Sequence, residues 1–153
     1  MNVRIVTFPT IRVGAVEHRG PPQLEHESVR RLIEWRIEQR LPPHRHRTFG
    51  IHYDDPRTTP AAAYRADFCV EVEGDVAPNR QGVIAKLIPG GRCAVARHVG
   101  SRDHVAAAEH LAAVWLPASG EALRDFPMFF HYVNVGPDIR DDDMVTDVYL
   151  PLR

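Results

Sequence analysis

A nine-residue stretch, RVGAVEHRG from Arg12, returns as RCAVARHVG from Arg92. The same offset of 80 residues pairs His18 with His98, Gly20 with Gly100, Trp35 with Trp115 and Asp67 with Asp147. A shift one residue shorter pairs His52-Tyr53 with His131-Tyr132. Trp, His and Gly are uncommon, so coincidences of this kind at one spacing mark an internal duplication. A duplication ties the second half of a chain to the fold of the first.

Each half shows the same order of patterns. Residues 4–18 are rich in Val and Ile and break at Gly20-Pro21-Pro22, which cannot continue a strand ladder. Val29, Leu32, Ile33 and Ile37 then fall at the spacing of an apolar helical stripe, which predicts a helix over 24–41, stopped by Pro42-Pro43. FGIHYDD and AAYRADFCVEVEG read as a hairpin closed by DPRTTP, and the polar GDVAPNRQG reads as the connection between halves. The second half predicts a strand over 83–99 bent at PGG, a helix over 103–116, and strands over 128–133 and 145–152.

One strand-helix-strand-strand unit has an apolar sheet face that a single helix covers poorly, so two such units related by a pseudo-two-fold complete a core together. The predicted class is therefore α+β: a tandem strand-helix-strand-strand repeat with pseudo-two-fold symmetry, an antiparallel sheet, two main helices and a central cleft. The 153 residues make one domain, with pseudo-repeats about 1–74 and 83–153. Seams between repeated halves are a common place for ligand pockets.

Composition removes several function classes. The formal charge is −1 with acids and bases interspersed, so no basic stripe offers the counterion release that drives nucleic-acid affinity, and direct DNA binding is not expected. No leader-like h-region and no membrane-length apolar run is present, and a cytoplasmic protein without membrane contact is expected. Cys69 and Cys93 form no CxxC and sit in apolar runs, so they read as reduced, buried small side chains. Of the nine histidines, His18, His98, His52 and His131 are repeat mates, and none has the spacing of a metal-ligand motif. No metal or cofactor is expected, and no nucleophile elbow or phosphate loop is present.

Four motifs in order, YDDPRTTPAAAYRAD from Tyr53, IPGGRCAVARHVG from Ile88, WLPASG from Trp115 and TDVYLPL from Thr146, resemble the GyrI-like family, also described as AraC-type effector-binding domains. The resemblance spans essentially the whole chain. It implies a tandem repeat whose central cleft binds small organic molecules, often aromatic or cationic. Some such domains sit behind a helix-turn-helix in multidrug-responsive regulators. Others include a DNA gyrase inhibitor and hydrolases that open cyclopropane-bearing genotoxins. Because a strand pattern starts almost at the first residue, no DNA-binding domain is expected in this chain. The family pattern on the penultimate strand resembles FEIYL, whose Glu meets a ligand cation or assists hydrolysis. Here the segment is FFHYV, and Phe130 stands in that place. A phenyl ring carries no countercharge and cannot act as a base, although a cation gains about 0.5–2 kcal/mol over a ring face.

Strand alternation puts Phe130 and Tyr132 on one face, and the His-Tyr repeat puts Ile51 and Tyr53 on the equivalent face of the first half. These four are candidate ligand-binding residues, although aromatic and aliphatic side chains serve a core equally well. Trp35 and Trp115 occupy equivalent helix positions. Trp115 lies on the stripe with Val105, Ala108 and Ala112, while Trp35 falls at the stripe's edge, and either can offer a stacking platform. Glu17 and Arg97 occupy matching positions with opposite charge. They are expected either to be solvated or to face each other as a pair, with Glu17 the nearest replacement for the missing acid. The expected protein binds an aromatic, hydrophobic or cationic small molecule in a sequestering or sensing role. The alternatives are a hydrolase of electrophilic genotoxins, which needs a carboxylate in the cleft, and a protein inhibitor of DNA gyrase. A separate transcription regulator is a further candidate partner, and exposed edge strands permit a homodimer.

Overall fold

Two bends set the course of the chain. In the computed structural model, which describes residues 1–153, each long first strand predicted from the sequence is split. The order is β1 (Val3–Phe8), β2 (Ile11–Arg19), α1 (Glu25–Glu38), β3 (Thr48–His52), β4 (Arg65–Glu71), β5 (Ile84–Ile88), β6 (Gly91–Val99), α2 (Ala106–Glu109), a π-helical segment (His110–Trp115), α3 (Leu116–Ser119), β7 (Phe129–Tyr132) and β8 (Val145–Pro151). Pro9 and Pro89 lack the N–H a ladder requires, and they mark the two breaks. A methyl group at Gly90 would stand 2.5 Å from the Thr10 amide nitrogen and 2.6 Å from the Phe8 carbonyl oxygen, so only glycine allows that approach.

The breaks redistribute the strands. The chain forms two compact units, one of Ile11–Ile88 and one of Met1–Thr10 with Pro89–Arg153. The boundaries fall in the proline bends, not in the polar GDVAPNRQG segment. Each unit thereby takes one strand from the other sequence repeat: β5 pairs with β2, and β1 pairs with β6. Both units hold four antiparallel strands, so the α+β class and the antiparallel sheet read from the sequence are present.

In the Ile11–Ile88 unit the strand order is β3-β4-β2-β5. Val16 of β2 and Ala66, Phe68 and Val70 of β4 alternate onto the face that α1 covers, where Leu32, Trp35, Tyr64 and Val83 complete the core. Glu25 and Glu27 in the first turn of α1 and Arg36 in its last complement the helix dipole. Trp35 does not lie at an edge. It is 4% exposed, and its indole lies on Gly14, where a Cβ would stand 2.8 Å from Cη2. That burial is worth about 2–3 kcal/mol.

In the other unit the order is β1-β6-β8-β7. Its helical layer passes from α2 through the π segment to α3. Pro117, in the first turn of α3, lacks the N–H that would bond the carbonyl of Ala113, and the helix changes register just before it. Ala107 and Leu111 from this layer pack on Ala94, Ala96, Phe130, Val148, Leu150 and Leu152.

The strand registers correct one reading. Glu17 and Ile51 both lie opposite Asp67, and Arg97 and His131 both lie opposite Asp147. The offset of 80 therefore holds through β3 and β7, and the His-Tyr match at 79 is a coincidence. A one-residue slip exchanges the faces of a strand. Phe130 and Tyr132 lie on the face that the helical layer covers, and their equivalents are Gly50 and His52. Ile51 lies on the face away from α1, and Tyr53, just past the end of β3, bonds Asp67 on that same face.

Candidate functional site

The Ile11–Ile88 unit builds a charged cluster on the face away from α1. Asp67 has no exposed side-chain surface. Its Oδ2 accepts from the Tyr53 hydroxyl at 2.6 Å and from Lys86 Nζ at 2.8 Å, and its Oδ1 accepts from Arg19 Nη1 at 3.1 Å. Glu17 Oε2 accepts from Lys86 Nζ at 2.6 Å and from Arg19 Nη2 at 3.0 Å. Desolvation and then the hydrogen bond to Asp67 push the Tyr53 phenol up to about 12. Desolvation is the largest single influence on Lys86 and pulls it down, but its bonds to Asp67 and Glu17 outweigh that and leave the ammonium raised above its ordinary value. Two carboxylates and two cations thus neutralise one another, and the phenol stays protonated.

In the other unit the matching position is simpler. Arg97 grips Asp147 with two bonds, Nε–Oδ1 at 2.8 Å and Nη2–Oδ2 at 3.0 Å. Arg97 also lines a surface depression with Asn2, Arg4 and Val95. Glu17 and Arg97 both stay solvent-exposed, and each is paired within its own unit: Glu17 with Arg19 of the same strand and Lys86 of β5, Arg97 with Asp147 of β8.

The aromatic candidates of the C-terminal half come together on the helix-covered face. Phe130 is 8% exposed, and its ring meets Tyr132 edge-on at 6.3 Å between centroids. Tyr132 and Trp115 are half-buried against the same apolar cluster. Arg102, in the turn after β6, lays its guanidinium over the Tyr132 ring at 5.0 Å. It is held there by Thr146 Oγ1 at 2.8 Å, Asn134 O at 2.9 Å and Val145 O at 2.8 Å. Desolvation lowers its pKa from the ordinary arginine value. The arrangement offers ring faces, a phenol and one cation.

Of the eight candidates read from the sequence, Phe130, Tyr132 and Trp115 share this aromatic face. Tyr53 and Glu17 share the charged cluster, with Ile51 buried opposite Asp67. Trp35 belongs to the core, and Arg97 to its pair with Asp147. The reading missed Asp67, Lys86 and Arg102. Asp67 stood in the repeat alignment. Lys86 is the one lysine among 19 basic residues, a signal that was there to use. Arg102 carries no signal in its own segment, because its acceptors lie 32 to 44 residues away. No group of three or more His, Cys, Asp or Glu is placed to hold a metal ion. No helix is long and apolar enough to cross a membrane.

Comparison with known proteins places this geometry. Residues 1–153 match the GyrI-like small molecule binding domain. The chain is 42% identical over 154 residues to the probable transcriptional regulator YgiV of Escherichia coli (strain K12), covering 99% of this chain and 96% of that protein. The C-terminal domain of EcmrR superposes with a TM-score of 0.76 at 16% identity, over 99% of this chain and 97% of that domain. Of the longer EcmrR chain in its DNA complex, this chain spans 57%. A protein solved with bound tetraphenylphosphonium superposes with a TM-score of 0.65 at 10% identity, over 100% of this chain and 94% of that one.

Proposed function

Because the chain belongs to the family of GyrI-like small-molecule binding domains, we propose that it takes up an aromatic, hydrophobic ligand against Tyr132, Phe130 and Trp115 and acts as a sequestering or sensing module. The observation that carries this is the grouping of three aromatic side chains on one face of one unit, two of them only half-buried, around a phenol that can hydrogen-bond. Aromatic faces stack on planar ligands and pair edge-on for about 0.5–1.5 kcal/mol beyond the area they bury. The tetraphenylphosphonium-bound neighbour and the regulator YgiV support an aromatic ligand and a regulatory setting.

Hydrolysis finds no comparable support. Glu17, the acid that was to replace the family Glu, is bound to Arg19 and Lys86. Phe130 supplies no carboxylate.

The test is a thermal-shift panel of planar neutral aromatics and cationic dyes against wild type, Tyr132→Ala and Trp115→Ala. A ligand at 100 times its dissociation constant adds about 2.7 kcal/mol, which is roughly 5–10 °C for a domain of this size. Shifts that both variants lose bear the reading out. Shifts that both variants keep in full place the ligand elsewhere.

A further inference from the structure

Building on the binding reading above, we propose that Arg102 selects the ligand's charge, so that the site prefers an aromatic molecule carrying a carboxylate, sulfonate or similar anionic group over a cationic one. Three observations carry this.

The first is that Arg102 makes no salt bridge. Every hydrogen bond it donates goes to a neutral oxygen, from Thr146, Asn134 or Val145. These use Nε and Nη2, so the Nη1 donors make no hydrogen bond within the protein. Arg47, also half-buried, is clasped by Glu71 through two bonds, and Arg36, which like Arg102 bonds only neutral oxygens, spends Nε, Nη1 and Nη2 on them. A guanidinium that is partly desolvated and still carries its full charge is a standing attraction for an anion, and a planar oxyanion fits its fork.

The second is where the charge sits. The guanidinium lies 5.0 Å from the centroid of Tyr132, which itself meets Phe130 edge-on at 6.3 Å. One of the two negative faces of the Tyr132 ring is thus already engaged by a cation. A ligand cation stacking there would meet the repulsion of Arg102 in place of the ring's attraction.

The third is that Phe130 supplies no countercharge and packs in an apolar cluster with Ala94, Ala96, Ala107, Leu111, Val148 and Leu150. With an effective dielectric of about 20, a ligand charge about 6–12 Å from the guanidinium changes affinity by roughly tenfold to a hundredfold, in favour of anions and against cations.

The experiment holds the ring system constant and changes only the charge. Pyrene-1-sulfonate, 1-pyrenemethanol and 1-pyrenemethylammonium are titrated into wild type, Arg102→Lys and Arg102→Gln by fluorescence at 0.15 M salt, and repeated at 0.5 M. The expected order in wild type is sulfonate, then alcohol, then ammonium, with at least a tenfold step between sulfonate and alcohol. Arg102→Gln should bring the sulfonate down to the alcohol, and Arg102→Lys should retain part of the step. Should Arg102→Gln not fold, the wild-type order and its compression at high salt decide the matter. Equal binding of all three compounds, tighter binding of the ammonium, or a sulfonate preference that survives Arg102→Gln overturns the charge assignment while leaving the aromatic site standing. Failure of all three to bind overturns the aromatic site and the charge assignment with it.

Discussion

Replacing Phe130 by Glu puts a carboxyl where the resemblance to the family places one, and the surroundings set its cost. Phe130 is 8% exposed and packs among Ala94, Ala96, Leu111, Val148 and Leu150. Losing the ring forfeits about 2 kcal/mol of apolar burial, and burying an unpartnered neutral carboxyl costs about 1–3 kcal/mol more. Domains of this size are stable by about 5–15 kcal/mol, so the variant is expected to fold at acid pH. Ionisation then deepens the loss. A carboxyl in an apolar setting has a folded-state pKa above its unfolded value of about 4.3. The variant is therefore most stable below that value and loses stability as pH rises towards the folded pKa, by up to about 1.4 kcal/mol per pH unit. Urea unfolding at pH 5 and pH 8, with wild type as reference, reads the difference directly. Equal losses at the two pH values would refute the reasoning, because the carboxylate would then be reaching water or a cation. At pH 8 the folded fraction should also bind tetraphenylphosphonium at least tenfold more tightly than wild type does, since the variant supplies the missing countercharge.

Gly14→Ala forces a methyl to 2.8 Å from Trp35 Cη2 and 3.0 Å from Val83 Cγ1 and should cost about 1–3 kcal/mol by equilibrium denaturation. Combining it with Trp35→Phe, which removes the clashing ring, should cost less than the sum of the two single changes, and strict additivity would refute the contact. Lys86→Met leaves Glu17 facing Asp67 with only Arg19 between them. Because Lys86 is 23% exposed, we expect about 1–3 kcal/mol of destabilisation, short of the cost of breaking a fully buried pair, and wild-type stability would mean the lysine is dispensable. Tyr53, pushed up to about 12, should ionise well above the ordinary phenol range in a 295 nm titration, before Tyr64, which burial pushes higher still. Its folded pKa lies above the unfolded value near 10, so its contribution is complete below pH 10 and is lost as pH rises through 12, and Tyr53→Phe should flatten that alkaline limb. His52 is drawn by burial down to about 4. Its contribution is present above the unfolded pKa near 6.5 and is lost as pH falls towards 4, so His52→Gln should blunt the acid limb, and an NMR midpoint near 6.5 would contradict the burial argument.

Much of this fold could be read from the chain because the duplication and the apolar periods agree. Val29, Leu32 and the strand alternations place α1 and the strands to within a few residues of where they lie. What misled was local similarity. His-Tyr occurs twice at a spacing of 79, and a dipeptide match does not reveal that β3 and β7 keep the spacing of 80. Because side chains alternate along a strand, that single residue moved Ile51 and Tyr53 to the wrong face in the sequence reading. The bend at Pro89 was visible in PGG and the one at Pro9 was passed over, and their effect, the exchange of β1 and β5 between the two units, depends on pairings across 69 to 93 residues.

The charge swap between positions 17 and 97 shows why a repeated backbone does not repeat its chemistry. Arg97 lies directly opposite Asp147 and pairs with it, as cross-strand neighbours of opposite charge do. Glu17 lies directly opposite Asp67, an arrangement that repels unless cations are brought in. Arg19 comes from the same strand as Glu17, but Lys86 comes from β5, 69 residues further along the chain. The equivalent position on β1 is Val6, which lies opposite Cys93 as Lys86 lies opposite Val13. The exchanged strand thus brings one unit the cation it requires and brings the other an apolar residue that its completed Arg97–Asp147 pair can accept. The halves share their register and differ where side chains meet charge. That is also where Arg102 stands, in the C-terminal unit, at a position where the offset of 80 supplies no matching arginine, since residue 22 is a proline.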